Sequence, residues 1–308
     1  MRKLLFITLG LLASVPSLLG QGTEALTFTR IDRNPATSAF AGAGSASTVN
    51  TAYSAFSNAS VLPFHEGTMD AAVSFQHWSP DVAKASHINA GAAFKISPRI
   101  GVSLGYAMQR GSAYDIFDEQ GIPGGRFTPS EQLFAMGVGF GLGERLSIGA
   151  NVRYALQQLN ATDRYSGISG DLFLACQVLT GLRLTAGVST LGTKVIARDE
   201  TSYGQPASFK AGAEGILRLN EANSLTILAD ADYCFAGGIS AAAGLQYAWK
   251  DILFLRGGYR LADKRCVIPG HAALGLGVQL SGIRLELSWL TASPALRNSL
   301  SAGVGYRF

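Results

Sequence analysis

Charge is scarce in this 308-residue chain: Asp, Glu, Lys and Arg make up only 15% of it, and 25 basic against 21 acidic side chains leave a formal charge of +4. That small excess is scattered along the chain and forms no basic footprint of the kind that grips nucleic acid. Cysteine is nearly absent. Cys176, Cys234 and Cys266 are an odd, widely spaced set, unlike a disulfide scaffold or a zinc site. His65, His77, His87 and His271 have no metal-ligand spacing, and no Gly-x-Ser-x-Gly elbow occurs. No cofactor is indicated and the chain reads as a non-enzyme. Long apolar runs are missing as well, since beyond residue 20 no stretch approaches the ~20 apolar residues of a membrane helix.

Apolar residues are nevertheless 47% of the chain and mean hydropathy is positive. Residues 1–20 begin with Arg2 and Lys3, continue through an apolar run over 4–12 and end in small residues around Pro16, the pattern of a cleavable signal peptide with Gln21 opening the mature chain. No Cys follows this run closely, which argues against a lipid anchor. An exported chain this apolar and without a spanning helix has one remaining way to satisfy its backbone in a bilayer, a closed β-barrel. The 37 glycines suit strands that twist and bend around such a barrel.

The C-terminus carries the strongest single signal. Leu300, Ala302, Val304, Tyr306 and Phe308 alternate with Ser299, Ser301, Gly303, Gly305 and Arg307, giving one apolar and one polar strand face up to the final residue. A transmembrane barrel pairs its last strand with its first, so a terminal strand of this kind is protected there. The spacing of Ser301, Gly303, Tyr306 and Phe308 also resembles the C-terminal signal read by the outer-membrane assembly machinery.

Alternating runs bounded by turn residues predict about fourteen strands, over 69–78, 86–95, 99–110, 131–142, 145–159, 167–178, 181–191, 205–218, 223–235, 237–249, 251–261, 270–280, 282–291 and 299–308. Their connections alternate between tight turns and longer loops, with 236–238 the exception. This asymmetry puts the tight turns in the periplasm and the loops 111–130 and 192–204 at the cell surface. Strand parity then turns Arg153, Asp171, Arg183, Lys210, Glu214 and Arg307 into the lumen, together with a charge cluster of Asp230, Asp232, Arg256, Arg260, Arg284 and Glu286, because a charge on the lipid face costs about 2–4 kcal/mol at the midplane. Asp230 and Asp232 are expected to pair with Arg256, Arg260 or Arg284. The glycines 137, 139, 141 and 143 share the lumen parity and leave room inside. Cys234 and Cys266 both fall towards the outer rim, which leaves a disulfide between them open.

Residues 21–68 do not alternate, yet they hold too many Ala, Phe and Tyr and too few charges for a disordered tail. About fourteen strands enclose a lumen too wide for the wall's own side chains to fill, so this segment is expected to be a plug. The domain plan is therefore a signal peptide at 1–20, a plug at 21–68 and an all-β transmembrane barrel at 69–308.

Within the plug, Phe28-Thr29-Arg30-Ile31, then Ala39-Phe40-Ala41-Gly42-Ala43-Gly44, then Ala52-Tyr53-Ser54-Ala55-Phe56-Ser57-Asn58-Ala59 resemble the N-terminal block of the PorV/PorQ proteins, a branch related to the FadL-type transporters. The chain departs from that block where the family favours Met-Gly-Gly and Asn-Pro-Ala. The resemblance implies an outer-membrane barrel that serves type IX protein secretion, meeting translocon or cargo proteins. A FadL-like transporter of small hydrophobic compounds is the alternative, and a structural barrel subunit of another outer-membrane complex a third. The expected partners are outer-membrane lipid, other outer-membrane or secreted proteins and, for the transporter, a small hydrophobic ligand.

Overall fold

The computed structural model describes residues 24–49, 51–117, 120–198 and 200–308, so the expected signal peptide lies outside the described residues. The first strands are β1 (Met69–Trp78), β2 (Ala85–Ser97), β3 (Ile100–Arg110), β4 (Tyr114–Phe117), β5 (Pro123–Phe127) and β6 (Ser130–Gly141). There follow β7 (Leu146–Gln158), β8 (Arg164–Leu179), β9 (Leu182–Gly192), β10 (Val195–Ile196), β11 (Ser202–Tyr203) and β12 (Ser208–Arg218). The last are β13 (Asn223–Cys234), β14 (Ile239–Trp249), β15 (Leu253–Ala262), β16 (His271–Leu280), β17 (Ile283–Thr291) and β18 (Ser299–Arg307).

Fourteen of these close into one antiparallel barrel, in the order β1-β18-β17-β16-β15-β14-β13-β12-β9-β8-β7-β6-β3-β2. Closure is made by β1 and β18, with Val73 opposite Val304 and Phe75 opposite Ala302. The ladder is sealed at the end by Phe308, whose N–H donates to the Met69 carbonyl (2.9 Å) while its own carbonyl accepts from the Thr68 N–H (2.9 Å). Of the expected assembly-signal residues, Ser301 faces the lumen, Gly303 lies against Pro35, and the Tyr306 and Phe308 rings meet edge-on outside, 4.3 Å apart. The four remaining strands form two small hairpins, β4–β5 and β10–β11, in the long loops. Sequence periodicity missed them because β10 and β11 have two residues each and β4 and β5 four and five.

The barrel strands alternate as a bilayer requires. Val73, Ile88, Met136, Val152, Leu174, Leu245 and Leu287 stand on the exposed face, and their sequence neighbours Ser74, His87, Asn151, Arg153, Gln246 and Glu286 are buried inside. Among the described residues no helix is long and apolar enough to cross a membrane; the strands do the crossing.

Residues 24–49 and 51–65 run inside this wall. Ala25 donates its N–H to the Gly204 carbonyl in the β11–β12 connection (2.7 Å), and from that outer rim the chain descends to the periplasmic end at Thr68. On the way it forms 3₁₀ turns at Thr27–Arg30, Thr51–Phe56 and Ala59–Phe64 and a short α-helix at Pro35–Ala39. Asn34 caps that helix by accepting from the Ala36 N–H (3.0 Å), and Pro35 occupies the first helical position, where no N–H is needed. The helix stops because Ala41 and Gly42 take left-handed backbone (φ 54° and 82°), which lets the Gly42 and Ala41 N–H groups close on the Thr37 and Ser38 carbonyls.

The segment reaches the wall backbone where the wall has no side chain. A Cβ on Gly91, Gly149 or Gly258 would collide with backbone atoms of Ala52, Ser60 or Phe40. Gly137 and Gly139, two of the expected lumen glycines, receive Ala59; nothing lies within reach of a Cβ on Gly143.

Val152, at the middle of β7, is 54% exposed, whereas Arg153 beside it is buried. Val152→Arg is expected to cost about 2–4 kcal/mol in urea unfolding of the vesicle-inserted barrel. Unchanged stability would mean that this face does not meet lipid.

Candidate functional site

Polar groups in the lumen hold the inner segment by its backbone. Arg260 Nε donates to the Ala41 carbonyl (2.9 Å), Arg183 Nη1 to Ala46 (3.0 Å), Gln76 Nε2 to Asp32 (2.7 Å) and Asn151 Nδ2 to Ser54 (3.2 Å). In the opposite sense, the Asp230 carboxylate accepts from the Gly44 N–H (3.2 Å), the Ser45 N–H (3.0 Å) and the Ser45 hydroxyl (2.9 Å). Each tie satisfies a backbone group that a chain without continuous helix or strand would otherwise bury alone.

The charges sort into separate nodes. Asp232, 1% exposed, is approached by Arg30 (3.2 Å), Arg260 (3.5 Å) and Lys210 (3.6 Å). Arg30 comes from the inner segment and also donates to Ser208 Oγ (2.7 Å), so this node ties the outer part of the segment to β12, β13 and β15. Nearer the periplasm, Asp70 accepts from Arg284 (2.8 Å) and Thr51 Oγ1 (3.0 Å) with Arg307 at 3.6 Å, and Glu286 lies 3.3 Å from Arg256 and 3.6 Å from Arg284. Arg153 pairs with Asp171 beside a bulge in β9, where the Thr190 N–H donates to Asp171 Oδ1 (2.7 Å), and Arg183 pairs with Glu214 (3.5 Å).

The single charge cluster expected from parity is therefore two. Asp230 and Asp232 pair with Lys210, Arg260 and Arg30, not with Arg256 or Arg284. Register explains the split: Arg260 lies opposite Ala242, which lies opposite Asp230, whereas Arg256 lies opposite Gln246, four residues towards the periplasm. At ~3.4 Å per residue that is roughly 14 Å. Arg30 lies outside any alternating run and so had no parity to read; Asp70 lies in the expected strand 69–78 and shares the parity of the lumen-facing Ser74 and Gln76, a signal that places it inside.

The inner segment's own motif residues divide similarly. Ala41, Gly42, Ala43 and Gly44 form the turn after the short helix, where a Cβ on Gly42 would come within 2.7 Å of Arg260 Nη2. Phe56 lies over Gly105, Asn58 caps the last 3₁₀ turn by accepting from the Ser60 N–H (2.9 Å) and donates to the Ser45 carbonyl (2.7 Å), and Ala59 packs against β6. His65 ends the segment, its imidazole held down to about 4, first by burial and then by Arg307; it is neutral at pH 7 beside Thr51 Oγ1 (3.2 Å). At the outer rim, burial raises the Glu24 carboxyl and Arg30 partly offsets this.

Between the segment and the outer half of the wall lies a cavity of about 130 Å³. Ile31, Phe56, Trp78, Phe173, Ile268 and Leu290 supply its apolar lining, and seven charged side chains share it: Arg30, Asp32, Arg33, Arg153, Lys210, Asp232 and Arg260. A second, polar cavity of about 350 Å³ opens at the periplasmic end among Glu214, Arg218, Arg256 and Arg307. A further concavity, about 970 Å³, lies elsewhere, on the lipid-facing side of β1, β2 and β3, where Ala71, Ala90 and Ala92 sit low between Leu104 and Tyr306. Among the described residues no cluster of His, Cys, Asp and Glu could hold a metal.

No protein-family model matches the sequence. No curated protein matches it either. Solved structures do resemble it. The toluene transporter TbuX of Ralstonia pickettii superposes with a TM-score of 0.59 at 12% identity, over 89% of this chain and 98% of that one. The toluene transporter TodX of Pseudomonas putida gives 0.57 at 15% identity, over 89% and 97%. A FadL homologue of Pseudomonas aeruginosa gives 0.51 at 11% identity, over 89% and 98%. At such identities the likeness is one of fold alone, that of the closed antiparallel barrel, which in this chain has fourteen strands.

Removing the Asp232 carboxylate leaves three cations facing a site that is closed to water on most sides. Asp232→Ala is expected to destabilise the folded barrel by about 3–5 kcal/mol in urea titration. A loss under about 1 kcal/mol would mean that the node is not a structural tie.

Proposed function

We propose that this chain is an outer-membrane transporter for a small, neutral hydrophobic compound, with residues 1–20 as the cleaved export signal and residues 21–68 as the plug of its lumen. The observation that carries this reading is the outer cavity. Its volume of about 130 Å³ is near the ~150 Å³ that accommodates a benzene-sized ligand, and six apolar side chains wall it. The charges in its lining are engaged with one another and with the plug, which favours a ligand without charge. Toluene transporters among the solved structures that resemble this barrel support the same class of cargo.

This places uptake ahead of the secretion role implied by the PorV/PorQ-like block. That block is compatible with either role, because its residues here make the turns and caps that pack the segment into the wall. The ladder offers a ligand no lateral gap: the described barrel strands are paired all round, with irregularities at Lys95/Ser97, Gly170/Leu172 and Gln177/Leu179. Passage accordingly runs along the lumen and depends on displacement of part of residues 24–33, which lie above the cavity and on its rim.

Expression in a host lacking such a barrel is expected to raise the initial rate of radiolabelled toluene uptake several-fold. Ile31→Trp, which fills the cavity from the segment side, should return uptake to the host's baseline while the barrel stays folded and heat-modifiable. Uptake unaltered by expression, or equal in the variant and the parent, would count against transport. Loss of surface-displayed proteins on deletion from the native host would restore the secretion reading.

A further inference from the structure

Two cysteines that transport does not use face each other at the outer rim. Cys234 is the last residue of β13 and is buried, Cys266 lies half-buried in the connection from β15 to β16, and their Sγ atoms are 3.7 Å apart. The backbone around them is built for this approach. The β13–β14 turn runs through Gly237 and Gly238, both at positive φ (100° and 108°), and the Gly237 N–H donates to the Cys234 carbonyl (2.9 Å). A Cβ on Gly238 would stand 3.2 Å from Cys266 Sγ, so the bare glycine leaves the space that the thiol occupies. On the other side, the Cys266 N–H donates to the Asp263 carbonyl (3.0 Å) and the Asp263 N–H to the Ile239 carbonyl (3.0 Å), which ties the turn carrying Cys266 to the start of β14. Cys176 is at the other end of the barrel, opposite Leu146 beside a periplasmic turn.

We propose that Cys234 and Cys266 become a disulfide in the mature protein, by exchange with a disulfide-bearing thiol oxidant met during export. Cys266, the more exposed of the two, attacks one sulfur of the oxidant as a thiolate, expelling one oxidant thiol and leaving a mixed disulfide. Cys234 then attacks Cys266 Sγ and expels the second. Two protein thiols become one disulfide, and the two electrons and two protons end on the oxidant as a pair of thiols. Such bonds persist in the oxidising compartments outside the cytoplasm. The cross-link also has a mechanical consequence: Ile268, two residues beyond Cys266, lines the outer cavity, and the Pro269 carbonyl lies 2.9 Å from His271 Nδ1, so the bond anchors the loop over the outer end of that cavity. The cross-link itself stands independently of the transport reading, and only its role at the cavity rests on it.

The test is thiol counting on the full protein isolated from outer membranes, denatured in the presence of an alkylating agent, then reduced and alkylated again with a second agent. Cys176 should carry the first label, and Cys234 and Cys266 the second. Trypsin cleavage at the exposed Lys264–Arg265 pair should give two fragments that remain joined on a non-reducing gel and separate on a reducing one. First-agent label on all three cysteines, or a disulfide that includes Cys176, would overturn the proposal. Cys266→Ser should move Cys234 from the second label to the first; if it does not, Cys234 is bonded elsewhere and the proposal fails.

Discussion

The constraint on which the rest of this structure depends is the hydrogen-bonding demand of an irregular chain enclosed by a membrane barrel. Residues 24–49 and 51–65 cross the lumen, and among these described residues the regular structure is a five-residue helix and three 3₁₀ turns, so most of their amides and carbonyls have no regular partner. In a wall surrounded by lipid those groups must be satisfied from within. The lumen side of the barrel answers with Gln76, Asn151, Arg183, Asp230 and Arg260, each aimed at a backbone atom of the segment. The same requirement accounts for the glycines: a side chain at Gly91, Gly149 or Gly258 would keep the segment too far from the wall for such bonds to form.

The buried ions serve this arrangement more as positioning devices than as a source of stability. Burying an ion pair costs desolvation that its Coulomb attraction only roughly repays, whereas losing one partner is expensive. Asp232, which meets Arg30 of the segment as well as Lys210 and Arg260, and Asp70, which accepts from Thr51 of the segment while paired with Arg284 and Arg307, therefore fix where segment and wall meet. A cation on the segment, Arg30, completes the outer node, which links the position of the segment directly to the lining of the cavity. Because the charges are occupied with one another, a lumen rich in Arg and Asp still leaves apolar room for a neutral ligand between Ile31, Phe173 and Leu290.

Most of the barrel was legible in the sequence, because a strand with lipid on one face and a polar lumen on the other must alternate with period two. Leu285-Glu286-Leu287 and Val152-Arg153-Tyr154 declare their orientation without further information. The short hairpins in the loops were not legible, since strands of two to five residues carry no usable period. The ion-pair partners were legible only by sign. Parity shows which face a charge takes, but pairing depends on the shear between strands, which set Arg256 beside Glu286 rather than Asp230. The cavity was not legible, because its lining comes from the segment, the β15–β16 loop and nine strands.

Residues 36–49 and 51–60 occupy the lumen of a wall whose strand ladder closes through β1 and β18. Single-channel conductance in planar bilayers tests it most directly, comparing the full chain with a chain lacking those residues, both shown to be folded by heat-modifiability. Little ion current is expected through the full chain and a stable open pore in the deletion. Equal conductance in the two would mean that the segment does not fill the barrel.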